Sequence, residues 1–243
     1  MSKDYVVLQV RIGSTRLPGK LLLPLCGRTI FEHILRRLET TSRISGIVVA
    51  TTASTAPFIG DIANRYGAEV VVGSEEDVLS RYVIAAERYG IENVVRATGD
   101  NPLVSIEYLD RALELHASER ADLTVFPELP YGTGIEVIKS GALIAAGRFA
   151  CDSSEREHVT RYLYKHPSRF RIVLGTPDTD FRRRELRLTV DTREDYDSMV
   201  RIYGALYRGS PVRLRRVIEY LDGVLSGGPA GGPAGGPEGV FDG

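Results

Sequence analysis

Four times within its first hundred residues the chain alternates a short apolar run with a segment whose apolar residues recur at helical spacing, and this restricts the fold more than any other feature. The first run stops at Gln9, and the others cover residues 46–51, 69–72 and 93–97. Between them, residues 29–39 open on a capping-box pattern, Thr29 to Glu32, and then place Ile30, Ile34, Leu35 and Leu38 on one face with Arg36 and Arg37 outside. A helix over 57–66 has Phe58, Ile62 and Ala63 inward, and another opening between Ser74 and Asp77 lines up Val78, Tyr82, Ala85, Ala86 and Tyr89. The strand segments are apolar throughout instead of alternating, so both of their faces are covered. The expected fold is α/β, with a mostly parallel central sheet and helices on both faces. Ligands of such sheets sit outside the carboxyl ends of the strands. That places the loop after Gln9 and the segment Thr98-Gly99-Asp100-Asn101-Pro102 in one cleft.

The first of these loops reads as an anion cradle. Arg11, Arg16 and Lys20 stand among Gly13, Ser14, Thr15, Pro18 and Gly19, where small residues let backbone N–H groups approach a phosphate and cations offset its charge. Neither GxGxxG nor GxxxxGK[ST] is met, since Gly13 to Gly19 is one residue too long and Leu21 follows Lys20. The plainer alternative is a strand-to-helix loop with solvated cations. From Arg11 to Arg37 there are six cations (Arg11, Arg16, Lys20, Arg28, Arg36, Arg37) against Glu32, while the whole chain carries a net charge of −1. A local anionic ligand therefore fits better than a nucleic-acid or membrane partner. The 243 residues, 43% hydrophobic, suffice for one core. Cys26 and Cys151 are lone, give no disulfide or metal pattern, and are expected to pack internally. The start MSKDYVVLQV is too short and charged for a signal peptide, and no apolar run reaches membrane-spanning length, so the expected setting is the cytoplasm.

Beyond a helix over 106–119 the strict alternation lapses. Strands are expected at 123–126, 135–138, 170–174 and 186–190, with helices at 140–149 and 155–166 and a final helix N-capped by Ser210 with Pro211 in its first turn, running to 225. This gives one domain over 1–225. From Ser226 a Gly-Gly-Pro-Ala repeat takes over, and residues 226–243 are expected to be a disordered tail.

Two acids carry the chemistry. Asp100 lies just past a strand end between glycine and proline, and Asp191 follows the 186–190 strand in T-V-D-T-R-E-D. Carboxylates from separate strand ends beside a cationic loop suit a divalent cation that bridges phosphate oxygens, Mg2+ above all. The alternatives are that Asp100 stabilises a turn and that Asp191 caps the helix from Arg193, with Glu194 completing the box. His158 in E-R-E-H-V-T is either an acceptor-side hydrogen-bonding group or base, or a structural helix histidine, and Glu136 and Glu157 share that ambiguity. The run Arg182-Arg183-Arg184 reads as a solvated loop.

Five motifs, VRIGSTRLPGK, GSEEDVLSR, RATGDNPL, EREHVT and TVDTREDY, in that order, resemble the cytidylyltransferase family, its SpsF-type group in particular, and more distantly the enzymes that make CMP-Kdo and CMP-sialic acid. They span most of residues 5–207. The resemblance implies a Rossmann-like three-layer nucleotidyltransferase fold, CTP as donor, and Mg2+ on Asp100 and Asp191. It also implies that Arg11, Ser14, Arg16 and Lys20, with Gly13, hold the triphosphate, that Gln9, Ser74, Arg81 and Thr98 lie near the nucleoside, and that the protein is a homodimer. The implied reaction is transfer of CMP to a sugar acid or related small-molecule acceptor with release of pyrophosphate, with Glu136 and His158 on the substrate side. Two alternatives are a glycosyltransferase using a preformed nucleotide sugar and a nucleotide-binding protein without turnover. The acceptor region departs from the family: Tyr131 stands where an arginine is usual, Gly134 where an acid is usual, and Arg161 where proline often follows EREHVT.

Overall fold

The apolar runs of the first hundred residues assemble side by side, as their continuous character requires. In the computed structural model, which describes residues 3–226, β1 (Asp4–Gln9) leads through a 3-10 turn at Lys20–Leu22 into a small hairpin of β2 (Pro24–Leu25) and β3 (Arg28–Thr29). Then follow α1 (Ile30–Leu38), β4 (Gly46–Thr52), α2 (Ala56–Arg65), β5 (Glu69–Gly73), α3 (Val78–Tyr89), β6 (Asn93–Thr98) and α4 (Ile106–Glu119). The second half holds β7 (Leu123–Val125), β8 (Glu136–Lys139), α5 (Ser140–Phe149), α6 (Ser153–Glu157), α7 (Arg161–Lys165), β9 (Ile172–Leu174), α8 (Arg193–Leu206) and α9 (Leu214–Leu225). The main sheet has the order β5-β4-β1-β6-β8-β7-β9. All neighbouring pairs are parallel except those of β8, which runs against both β6 and β7.

Each face of the sheet buries its own core. Val6 and Leu8 of β1 pack with α1, α2, α4, α8 and α9, while Val7 faces α3, α5 and α7. The Thr29–Glu32 capping box forms at the start of α1, and Asp77 caps α3. No helix among the described residues is long and apolar enough to cross a membrane.

Several sequence expectations need correction. Phe58 is exposed and Ile59 takes its place inward on α2. Arg37 is fully buried, its guanidinium donating to the carbonyls of Val104 and Val212 and pairing with Glu107 at 3.4 Å. It serves as a polar cross-link between elements and has no part in an anion site. Cys26 and Cys151 are both exposed. The 155–166 helix is broken into α6 and α7 around His158, and α9 begins at Leu214 instead of after Ser210. Arg183 is paired with Asp222 of α9 and with Glu185, so it is no free loop cation. Residues 186–190 are extended but form no strand of the sheet. Their backbone is shared between Tyr131 and Asp100, with Tyr131 N donating to Leu186 O, Leu188 N to Tyr131 O, and Val190 N to Asp100 O. The tail expected at 226–243 lies outside the described residues apart from Ser226, the C-cap of α9.

Candidate active site

The site is built where the chain leaves β1 and β6 side by side. The register pairs Gln9 with Thr98, so the two following loops start adjacent, and Gly99 N donates to Gln9 O at 2.9 Å. A Cβ on Gly99 would stand 2.7 Å from Leu21 and 2.8 Å from Val10, and its absence lets Asp100 approach the turn that carries Lys20. The cation loop is moored to the next crossover by Ile12 N donating to Thr55 Oγ1 at 3.0 Å. Asp191 arrives from the opposite side on the 186–190 segment. That segment passes so close to Gly132, at φ 91°, that a Cβ there would lie 2.6 Å from Thr189 N.

These loops enclose a cleft of about 660 Å3. Lys20 stands at its centre, donating to Asp191 Oδ1 at 3.0 Å and Val190 O at 2.8 Å, with Asp100 Oδ2 at 3.7 Å. Arg16 reaches the same Asp191 oxygen at 3.3 Å. Burial pushes the Asp191 carboxyl up, but the Lys20 hydrogen bond and charge, with Arg16 and Arg187, outweigh it and hold the group below the usual carboxylate range. Two carboxylates that turn oxygens toward one ammonium are placed to share a small hard cation. Among the described residues no group of three or more His, Cys, Asp or Glu is placed to hold a metal ion. A two-carboxylate, all-oxygen donor set suits Mg2+, which keeps waters and phosphate oxygens for its remaining positions.

Asp191 is not the cap of α8. Thr192 is, in a box with Asp195, whose Oδ2 accepts from the backbone N of both Asp191 and Thr192. Burial raises the Asp195 carboxyl, yet Arg187 and those two N–H groups bring it down to about 2.

Deeper in the cleft, Arg96 pairs with Glu136 at 2.7 Å, and Thr160 donates to Glu136 at 3.3 Å. The Tyr82 hydroxyl donates to Gln9 Oε1 at 3.1 Å, and burial drives that phenol far above its ordinary value. Arg81 is 2% exposed, and its Nε and Nη1 have no partner. Burial lowers its pKa, with Tyr82 and Glu75 opposing. A buried guanidinium with free donors calls for an acceptor-bearing ligand. The cleft is also lined by Phe126, Pro127, Leu129, Tyr131, Glu157 and His158, among others, and Glu157 pairs with Arg11 at 3.9 Å.

Of the residues singled out from sequence, Gln9, Arg11, Ser14, Arg16, Lys20, Arg81, Thr98, Asp100, Glu136, His158 and Asp191 line this one cleft. Gly13 and Ser74 do not, and the Ser74 hydroxyl instead accepts from Asp77 N ahead of α3. Arg28 and Arg36 are spent on Tyr207 and the Gly209 carbonyl. The sequence reading placed Asn101 in the cleft without a role and missed Arg187 and Asp195. Asn101 supports Thr98 at 2.7 Å, and Arg187 binds both Asp191 and Asp195 and lies 5.1 Å over the Tyr131 ring. The Thr192-to-Asp195 spacing is itself a cap signal that would have found Asp195.

The sheet order and the cleft at its carboxyl edge are those of an α/β nucleotidyltransferase. Within that class the chain belongs to the cytidylyltransferase family, whose sequence signature matches residues 5–219. The spore coat polysaccharide biosynthesis protein SpsF of Bacillus subtilis is 34% identical over 209 residues, 84% of this chain and 87% of that protein. The structure of a cytidylyltransferase from Leptospira borgpetersenii superposes with a TM-score of 0.86 at 29% identity, covering 93% of this chain and 96% of its own. A CMP:2-keto-3-deoxy-manno-octonic acid synthetase complexed with CTP shares the fold, with a TM-score of 0.65 at 16% identity over 84% of this chain and 99% of its own.

Proposed function

We infer that this chain transfers CMP from CTP to a small-molecule acceptor, a sugar acid or a related compound, and releases pyrophosphate. The observation that carries this reading is the convergence of Lys20 and Arg16 with Asp100 and Asp191 in a cleft that also holds the unpartnered Arg81 guanidinium. Arg11, Arg16 and Lys20 would bind the triphosphate and fix its α-phosphorus for in-line attack by an acceptor oxygen. Positioning and charge neutralisation do most of the work in such transfers. Asp100 and Asp191 would hold Mg2+, which supplies further neutralisation of phosphate oxygens when bound. Arg81 offers donors alone, which matches the adjacent O2 and N3 acceptors of cytosine and conflicts with the N3–H of uracil. His158, exposed at the break between α6 and α7, and Glu136 are assigned to the acceptor end. A homodimer, which the family resemblance implies, and a cytoplasmic setting complete the reading.

The direct test is pyrophosphate release from CTP with a panel of sugar acids and related alcohols. Lys20→Met and Asp100→Asn should each lower kcat about 100-fold or more, the usual cost of removing a group that stabilises transition-state charge. Full activity in both variants would overturn the assignment. Consumption of an intact nucleotide sugar without pyrophosphate would favour the glycosyltransferase alternative.

A further inference from the structure

The two acids are held in the same unusual way. Each has one oxygen tied down by its own chain and the other turned toward the cleft cations. On Asp100, Oδ1 accepts from the Thr98 hydroxyl, while Oδ2 faces Lys20 at 3.7 Å. The Thr98 hydroxyl has one proton, and the Asn101 amide donates to its oxygen at 2.7 Å, which occupies a lone pair and directs that proton to Asp100. On Asp191, Oδ2 accepts from Arg187 Nη2 at 2.9 Å, while Oδ1 faces Lys20 at 3.0 Å and Arg16 at 3.3 Å. Arg187 is itself clamped by Asp195, whose two oxygens take its Nε at 2.9 Å and Nη2 at 3.1 Å. The two supports are unrelated in sequence and chemistry, one a hydroxyl–amide relay at the end of β6 and the other an arginine fork ahead of α8. Both produce a carboxylate with a single oxygen turned to the cleft cations.

We propose that Thr98 with Asn101, and Arg187 with Asp195, are positioning residues that hold Asp100 and Asp191 as one-oxygen ligands and thereby select Mg2+ over Ca2+. This rests on the metal assignment made above. Mg2+ takes six oxygens in a tight octahedron and accepts one oxygen from each of one or two carboxylates. Ca2+ takes six to eight at longer range and gains from two-oxygen carboxylate coordination. Two-oxygen coordination of Ca2+ would require each carboxylate to rotate and strain the hydrogen bond that holds its second oxygen to Thr98 or Arg187. The same supports therefore make two-oxygen coordination costlier for the larger ion and leave one-oxygen coordination of the smaller ion untouched.

The test is competition of Mg2+ and Ca2+ against Mn2+ bound to the full chain with α,β-methylene-CTP, the protein in excess of nucleotide, read by the electron paramagnetic resonance of Mn2+. Thr98→Val keeps the shape and removes the hydroxyl, and Arg187→Met removes the fork. Each should lower Mg2+ affinity about 10-fold, the lower end of what loss of such outer support costs, and Ca2+ affinity less, so that the Mg2+-to-Ca2+ ratio falls. Thr98→Ser should retain the ratio, and Asn101→Ala should shift it less than Thr98→Val. A variant that merely loosens the fold would weaken both ions together and leave the ratio in place, which counts against the proposal. An unchanged ratio in Thr98→Val and Arg187→Met, with Mn2+ binding lost in Asp100→Asn and Asp191→Asn, would overturn this proposal and leave the metal assignment standing. Unchanged Mn2+ binding in the two aspartate variants would remove the metal assignment and the proposal with it.

Discussion

Lys20 is the residue on which the opposed charges of the site balance. Its side chain is 11% exposed and has three oxygen partners, so in the nucleotide-free protein it is the counter-ion that lets two acids approach each other. Hydrogen bonds to charged groups contribute about 1.5–3 kcal/mol, and leaving converged carboxylates without a counter-ion adds to the loss. Lys20→Met is accordingly expected to lower the unfolding free energy by about 2 kcal/mol in urea denaturation. Millimolar Mg2+ should recover part of that deficit, and an unchanged denaturation midpoint would refute the balance described. The pairing with Asp191 was legible in the sequence only as two residues bound for the same end of a sheet. Which oxygen each cation takes depends on residues 170 positions away and on a backbone path that no local pattern encodes. Arg36 and Arg37 make the same point: adjacent and alike in sequence, one meets a surface carbonyl and the other is fully buried between elements.

At the scale of elements, the first half of the chain was readable because its strands are continuous apolar runs and its helices carry caps, so period and punctuation agree. The second half was read less well where backbone groups find partners outside the sheet. Residues 186–190 have the apolar content of a strand, but their N–H and C=O groups serve Tyr131 and Asp100, and this displacement is what brings Asp191 to Lys20. The start of α8 then fixes the orientation through the Thr192–Asp195 box and Arg187. Asp195 is held down to about 2, so the stability it contributes is fully present above the ordinary carboxylate value and is lost as pH falls from there toward 2. Asp195→Asn should cost about 1 kcal/mol at pH 7 once solvent screening is allowed for, and the difference from wild type should shrink steadily as pH falls below the ordinary carboxylate value. Denaturation midpoints measured from pH 7 down to pH 3 check this, and a deficit that persists undiminished at the acid end would show that the charge is not its source.

On the scale of the whole molecule, the cleft joins parts that are distant in the chain and belong to different halves of the sheet. The parallel half supplies the cation loop, Arg81 and Asp100. The reversed strand β8 supplies Glu136, and Asp191 comes from the 186–190 segment that follows β9. A nucleotide that engages Lys20, Arg16 and the two acids together must therefore tie the loop at 11–20 to the segment at 187–191, which in the free protein meet through side chains. Bound CTP with Mg2+ at one hundred times its Kd adds about 2.7 kcal/mol to stability, and for a chain of this size that corresponds to a Tm rise of about 5–10 °C. UTP should give a smaller rise, and Arg81→Met should bring the two nucleotides together. Hydrogen exchange supplies the spatial counterpart, since protection by CTP should appear at 11–20 and 187–191 in parallel while β9, at the far edge, stays unchanged. Protection confined to 11–20 would mean that the nucleotide sits on the cation loop alone. Asp191 would then be a structural partner of Lys20, outside the nucleotide's reach.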